Sequence, residues 1–357
     1  MRCWHEYPYN AALGGPCNDW REWLTSPDCI AAQKNRWQFI LERWGGSPNI
    51  LAWDLMNEIE LYWGCTPEEM YNYISEIATF VRETEMALYG KAHMLTVSSA
   101  APVPDIELGR TIFNHPALDF ANTHVYAGLG VMAPVNAIEC AEETAGAVKL
   151  ALHAIGKPRP FFDSESGPID VWIEDLALDT AYHHNMSWAH LAAGGAGSGM
   201  RWPYTEPHWL VPEMRDNLLG LARFAAAVDW THFESRNMTS SIRLSKGGIL
   251  KAGCADGYTA IVWLLADARL ETTPTLGGTT VYIVNALRDG TYCIDVWDTN
   301  TGMPITGMIA QVTDGKLAFT LPHFATPPAD VALLIRVLWL KVEALPEAER
   351  AIRLWLP

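Results

Sequence analysis

Ile50-Leu51-Ala52-Trp53-Asp54-Leu55-Met56-Asn57-Glu58 is an apolar run that stops on an amide and a carboxylate. A short loop follows, and a helix is predicted from Thr66-Pro67-Glu68-Glu69. Thr66 can cap it, Pro67 suits its first turn, and Glu69 completes a capping box. Met70, Ile74, Ile77 and Val81 then share one face, and Gly90 can close the C-terminus. A buried strand that empties into a loop and an amphipathic helix is one β/α unit. Similar apolar runs lie at 2–7, 93–100, 119–126, 159–165 and 197–203. Helical patterns fill most gaps between them. One carries Ile30, Trp37, Ile40 and Leu41; another puts Val148, Leu152 and Ile155 on a stripe that stops at Gly156. This alternation predicts an α/β region over residues 1–230, with about six parallel strands covered by helices.

The pattern changes after residue 230. Helical periodicity disappears, and strands are predicted at 258–265, 279–285, 290–298 and 316–321. Asp289-Gly290, Thr301-Gly302 and Asp314-Gly315 supply turns at short spacing. The expectation is an antiparallel β-sandwich over 231–340, then a tail at 341–357 with a short amphipathic helix.

The 357 residues carry a formal charge of −16, which disfavours nucleic acid and polyanionic substrates. A neutral small molecule or polysaccharide is compatible. Sixteen Trp residues suit a sugar, because indole offers a flat apolar face and one N–H donor, although a Trp-rich core would use them equally. The seven cysteines are scattered without a CxxC pair, so neither zinc nor a disulfide framework is expected, and a reducing, cytoplasmic setting is favoured. The start, Met1-Arg2-Cys3-Trp4-His5, has no secretory-leader pattern, and no run is long enough to span a bilayer.

Four strand ends carry chemistry. Glu58, beside apolar side chains and Trp53, has the setting of a carboxyl that holds its proton and acts as a general acid. In Arg159-Pro-Phe-Phe-Asp163-Ser-Glu165-Ser-Gly167 a second apolar run ends in carboxylates, with Asp163 and Glu165 on one face. Alone, either segment also fits a solvated loop. Two strand-end carboxylates on different strands form the pair that glycoside hydrolysis needs. Asp163 and Glu60 are secondary candidates for that pair. His124 and Tyr126, in Asn122-Thr-His-Val-Tyr, can donate to a carboxylate or a sugar hydroxyl, or satisfy each other in a core. Trp202 can floor a sugar subsite. His5 reads equally as a buried polar residue, a metal ligand or a substrate contact. A metal-dependent hydrolase using His5, His124 and Asp163 is a weaker reading, because no HxH-type cluster is present.

The order His5, Asn57-Glu58, His124-x-Tyr126, Glu165, Trp202 resembles glycoside hydrolase clan A, and within it family 5, the cellulases and β-mannanases. The resemblance covers residues 1 to about 230. It implies a TIM-type (β/α) barrel with Glu58 as acid/base and Glu165 as nucleophile of a retaining enzyme on β-1,4-linked glucan or mannan. It also implies that Asn57 bonds the sugar 2-hydroxyl, His124 and Tyr126 orient the carboxylates, Trp202 forms a sugar platform and His5 is a polar contact. No cofactor or metal is implied. In the clan, Asn-Glu lies on strand four of eight. Here one predicted run precedes it, so an incomplete barrel is expected, without strands one and two or the arginine that ends the second. Two expectations follow: a homo-oligomer that covers the open barrel, and, as the alternative to an enzyme, a carbohydrate-binding protein that has lost turnover.

Overall fold

A computed structural model describes residues 3–61, 64–102, 106–127, 136–156, 159–168, 173, 175–202 and 210–338. They form two compact units. The first runs to Leu210, except for Ala192–Gly194, which belong with the second.

The first unit alternates helices and short strands: α1 (Pro27–Trp44), β1 (Ala52–Asp54), α2 (Pro67–Tyr89), β2 (Met94–Thr96), α3 (Ile106–Asn114), β3 (Ala121–Ala127), α4 (Glu139–Ala154), β4 (Phe161–Pro168), α5 (Leu176–Ala192) and β5 (Gly197–Arg201). α2 is built as its sequence dictates. Thr66 and Glu69 form the reciprocal capping box, and Gly90 ends the helix in the left-handed region at φ 67°. Met70, Ile74, Ile77 and Val81 are all buried.

All strand pairs in this unit are parallel: β1 with β2, and β3 with β4 and β4 with β5. Backbone bonds join the two groups, from Asp119 N–H to Leu95 O (2.9 Å) and from His124 N–H to Ser99 O (2.9 Å). Five consecutive parallel strands result among the described residues, not the six expected. The missing one is the first run. Residues 4–6 form a 3-10 turn, and His5 is exposed beside Glu6 at 3.3 Å. Trp4, Tyr7, Tyr9 and Trp23 instead pack ring on ring around this turn.

Cys17 and Cys29, twelve residues apart, form a disulfide, a single bridge rather than a framework, and the other five cysteines remain thiols. Spacing could not reveal it, because turns between Asn10 and Leu24 fold the two fully buried sulfurs together.

The second unit begins at Val211, about twenty residues before the expected boundary, because α6 (Pro212–Ala226) packs on the β region. A Cβ on Gly220 would meet the Thr299 and Asn300 carbonyl oxygens at 2.5 Å, so only glycine permits this approach. Phe224 packs edge-on against Trp297, and Arg223 donates to Thr301 O at 2.9 Å. The strands are β6 (Arg236–Asn237), β7 (Ile242–Leu244), β8 (Ile249–Ala255), β9 (Thr259–Ala266), β10 (Thr280–Val284), β11 (Gly290–Asp298), β12 (Met303–Thr313), β13 (Lys316–Thr320) and β14 (Asp330–Val337). Instead of two separate sheets they form one hydrogen-bonded antiparallel sheet, ordered β6-β8-β9-β14-β11-β12-β13-β10-β7. Its two ends share a single core: Ile242, Val281 and Ile283 pack with Val262, Leu264 and Leu333. The predicted tail helix lies outside the described residues. Among those residues no helix is long and apolar enough to cross a membrane.

Candidate active site

The site lies where β1 to β4 end. Past β1 and β2 the backbone bonds continue, from Leu55 N–H to Thr96 O (2.9 Å) and from Ser98 N–H to Met56 O (3.2 Å), and carry the chain to Asn57 and Glu58. Glu58 has φ 50°, a left-handed conformation that costs a non-glycine residue on the order of 1–3 kcal/mol. Surrounding contacts hold it there. Its N–H donates to Ser98 Oγ at 3.1 Å, and its Oε1 lies 2.7 Å from His124 Nδ1. Asn57 is exposed, with Oδ1 3.5 Å from Ser98 Oγ.

His124 and Tyr126 point from one face of β3. The buried His124 ring lies between two carboxylates, with Nδ1 3.7 Å from Glu165 Oε2 as well. Burial alone would lower its pKa. The hydrogen bond that its Nδ1–H donates to Glu58 and the charges of Glu165, Glu58 and Asp54 outweigh that and raise it. Tyr126 Oη donates to Glu165 Oε1. Burial and that carboxylate push the phenol pKa far up, so the hydroxyl keeps the proton it donates. Glu58, His124 and Glu165 each present one polar atom within 4.8 Å of the others. Such a trio could hold a cation, but hydrogen bonding already accounts for its spacing. Two carboxyl groups this close, each about a quarter exposed, can flank one bond of a bound molecule.

No protein-family model matches the chain. Its fold is similar to that of a solved glycoside hydrolase, at a TM-score of 0.54 and 13% identity over 87% of this chain and 70% of that one. It is similar to the same degree, 0.54 and 13%, to a glycoside hydrolase family 5 structure from Bacteroides vulgatus, covering 90% of this chain and 71% of that one. By fold, the chain is similar to glycoside hydrolases of clan A, family 5 among them. The first unit is therefore an α/β region of TIM type. A segment of 138 residues is 28% identical to the "Probable mannan endo-1,4-beta-mannosidase F" of Neosartorya fischeri. That match covers 34% of this chain and 29% of the relative, well under two thirds of its length.

Within this fold, the structure brings Asn57, Glu58, His124, Tyr126 and Glu165 together. Trp202 is exposed just past β5, and its N–H bonds Ser166 O, next to Glu165, at 2.8 Å. Two expected contacts fall elsewhere. Trp53 alternates with Asp54 along β1 and faces the helices: its indole N–H donates to Glu85 of α2 at 2.8 Å, and its ring meets Trp37 and His93 edge-on. The group beside Glu58 is thus His124, not Trp53. His5 lies in the exposed 3-10 turn, not at a strand end, so it is withdrawn as a site residue. The sequence reading overlooked Ser98, which holds both Asn57 and Glu58. A signal was present, since the apolar run at 93–100 ends in two hydroxyls. Glu60, a secondary candidate, accepts instead from Ser99 Oγ (2.6 Å) and Ala101 N–H (3.0 Å) and braces that loop.

Proposed function

We propose that the protein is a retaining β-glycoside hydrolase acting on β-1,4-linked glucan or mannan chains or their oligosaccharides. The observation that carries this reading is the Glu58–Glu165 pair, with oxygens within 4.8 Å. Retaining enzymes hold their carboxyl groups about 5–5.5 Å apart, whereas inverting ones leave about 6.5–9.5 Å for a water. Glu165, oriented by Tyr126, attacks the anomeric carbon while the bond to the leaving oxygen breaks and that oxygen takes the proton of Glu58. Glu58 then removes a proton from water, which attacks the same carbon and releases Glu165. His124 holds Glu58 in line for both steps. Exposed Asn57 meets the sugar 2-hydroxyl, and Trp202 supports a ring. The mannosidase name of the relative favours a mannan among the substrates. The partners in this reading are a carbohydrate and a second copy of the chain.

The test is turnover of defined mannans, glucans and aryl β-glycosides, with the anomer of the first product read by NMR. Release of the β-anomer first supports double displacement. Release of the α-anomer first refutes it, and saturable sugar binding without turnover moves the chain to the carbohydrate-binding class.

A further inference from the structure

Asp163 stands two residues before Glu165, on the same face of β4, and is buried. The β3–β4 ladder slips beside it: Thr123 pairs with Asp163, but His124 pairs with Glu165, so Ser164 has no partner on β3. Such a slip interrupts backbone bonding locally. N–H groups alternate in direction along a strand. On β3, Ala121 N–H reaches Pro160 O on the β4 side, whereas His124 N–H reaches Ser99 O on the β2 side. Val125 N–H therefore points toward β4 where the ladder has slipped. It finds a side chain there, donating to Asp163 Oδ1 at 3.1 Å. Asp163 also accepts from the Glu165 N–H. One carboxyl thus holds the amide between His124 and Tyr126 and the amide of Glu165 itself.

The geometry points to Asp163 as a positioning residue that staples β3 to β4 at the slip and so sets His124 and Tyr126 against Glu58 and Glu165. This rests on the reading of Glu58 and Glu165 as acid and nucleophile. The role needs an acceptor, not a charge, and burial raises the Asp163 pKa well above the usual carboxylate range, which favours the neutral form. The staple is separate from the chemistry, because Asp163 touches backbone amides and neither reacting carboxylate.

Asp163→Asn keeps an acceptor toward Val125, whereas Asp163→Ala and the space-filling Asp163→Leu remove it. Expected for Asn is kcat within about threefold of wild type. Expected for Ala and Leu is a fall in kcat of about 100-fold with KM nearly unchanged, the scale of a misplacement near 1 Å. The limbs of the kcat/KM pH profile should shift in Ala and Leu but not in Asn. Amide exchange by NMR reads the staple without turnover: Val125 is protected in wild type and Asn, and loses that protection in Ala and Leu while α2 keeps its own. Equal Val125 protection in all variants overturns the proposal, as does a folded Asn variant with activity as low as Ala. If wild type hydrolyses no glycoside, the functional reading fails, while the exchange result still decides the staple. If Ala does not fold, Leu carries the comparison.

Discussion

His124 reaches both carboxylates, while Tyr126 donates to Glu165, and the proposed mechanism assigns the two acids distinct roles on this asymmetry. Glu165→Ala should abolish turnover, with partial recovery when azide enters from the vacated side and forms a glycosyl azide. Glu58→Ala should slow substrates with poor leaving groups by about 10²–10⁴-fold, while activated aryl glycosides lose far less because they need no proton. Equal loss on both substrate types would remove Glu58 as the acid. A second residue-scale expectation concerns His190, fully buried and stacked on Phe161 with ring centroids 5.7 Å apart. Burial lowers its pKa from 6.5 to about 3. The folded protein thus holds it neutral while the unfolded chain binds a proton below pH 6.5. Stability contributed by this group is present above pH 6.5 and is lost as pH falls from there toward about 3. His190→Gln should flatten the pH dependence of the unfolding free energy in that window by up to about 1.4 kcal/mol per pH unit. An unchanged slope would show that another group carries the acid sensitivity.

Elements were legible where local rules decide them. The capping box and Gly90 bound α2, and Asp314-Gly315, both with positive φ, turns β12 into β13. Strand ends were legible too, because an apolar run that stops on a carboxylate marks where the sheet meets solvent. Glu58, His124, Tyr126 and Glu165 follow from that, since residues at period two share a face. Which way a given side chain faces was not legible at β1. Trp53 and Asp54 are neighbours of opposite facing, and only the Glu85–His93 pair behind the strand, at 2.7 Å, makes the helix side the one for Trp53. The 3-10 turn at Trp4–Glu6 was misread because a short aromatic run fits a strand and a turn alike. β14 carries six consecutive buried residues from Asp330, a pattern that a search for alternation misses. The disulfide is the element-scale prediction. Cys17→Ser, or reductant, should lower unfolding stability in urea by about 2–3 kcal/mol, as expected for closure of a loop near a dozen residues. Cys65→Ser, a free thiol, should change little, and equal effects would contradict the pairing.

At the scale of the whole molecule, the unpaired edge of β1 bears on the proposed pairing of two copies. Parallel sheets are normally covered on both faces. Here, among the described residues, β1 pairs only with β2; Leu51, next to β1 in the chain, and Leu61, in the 3-10 turn after Glu58, are exposed at 63% and 49% accessibility. Exposed apolar side chains together with an unpaired edge favour association. The edge itself is poor at open-ended pairing, because β1 has only three residues, and a very short edge strand blocks aggregation. A surface that attracts but does not propagate fits a closed pair, in which the same patch serves both copies about a two-fold axis. Light scattering should therefore give a mass near twice 39.6 kDa at micromolar concentration. Leu51→Glu with Leu61→Glu should return it to a single chain without loss of helical signal. Because Glu58 stands between those leucines in the chain, specific activity should fall on dilution as the pair separates. A wild-type monomer whose specific activity is independent of concentration would show that the edge needs no second copy, and would leave the shortness of β1 as its protection.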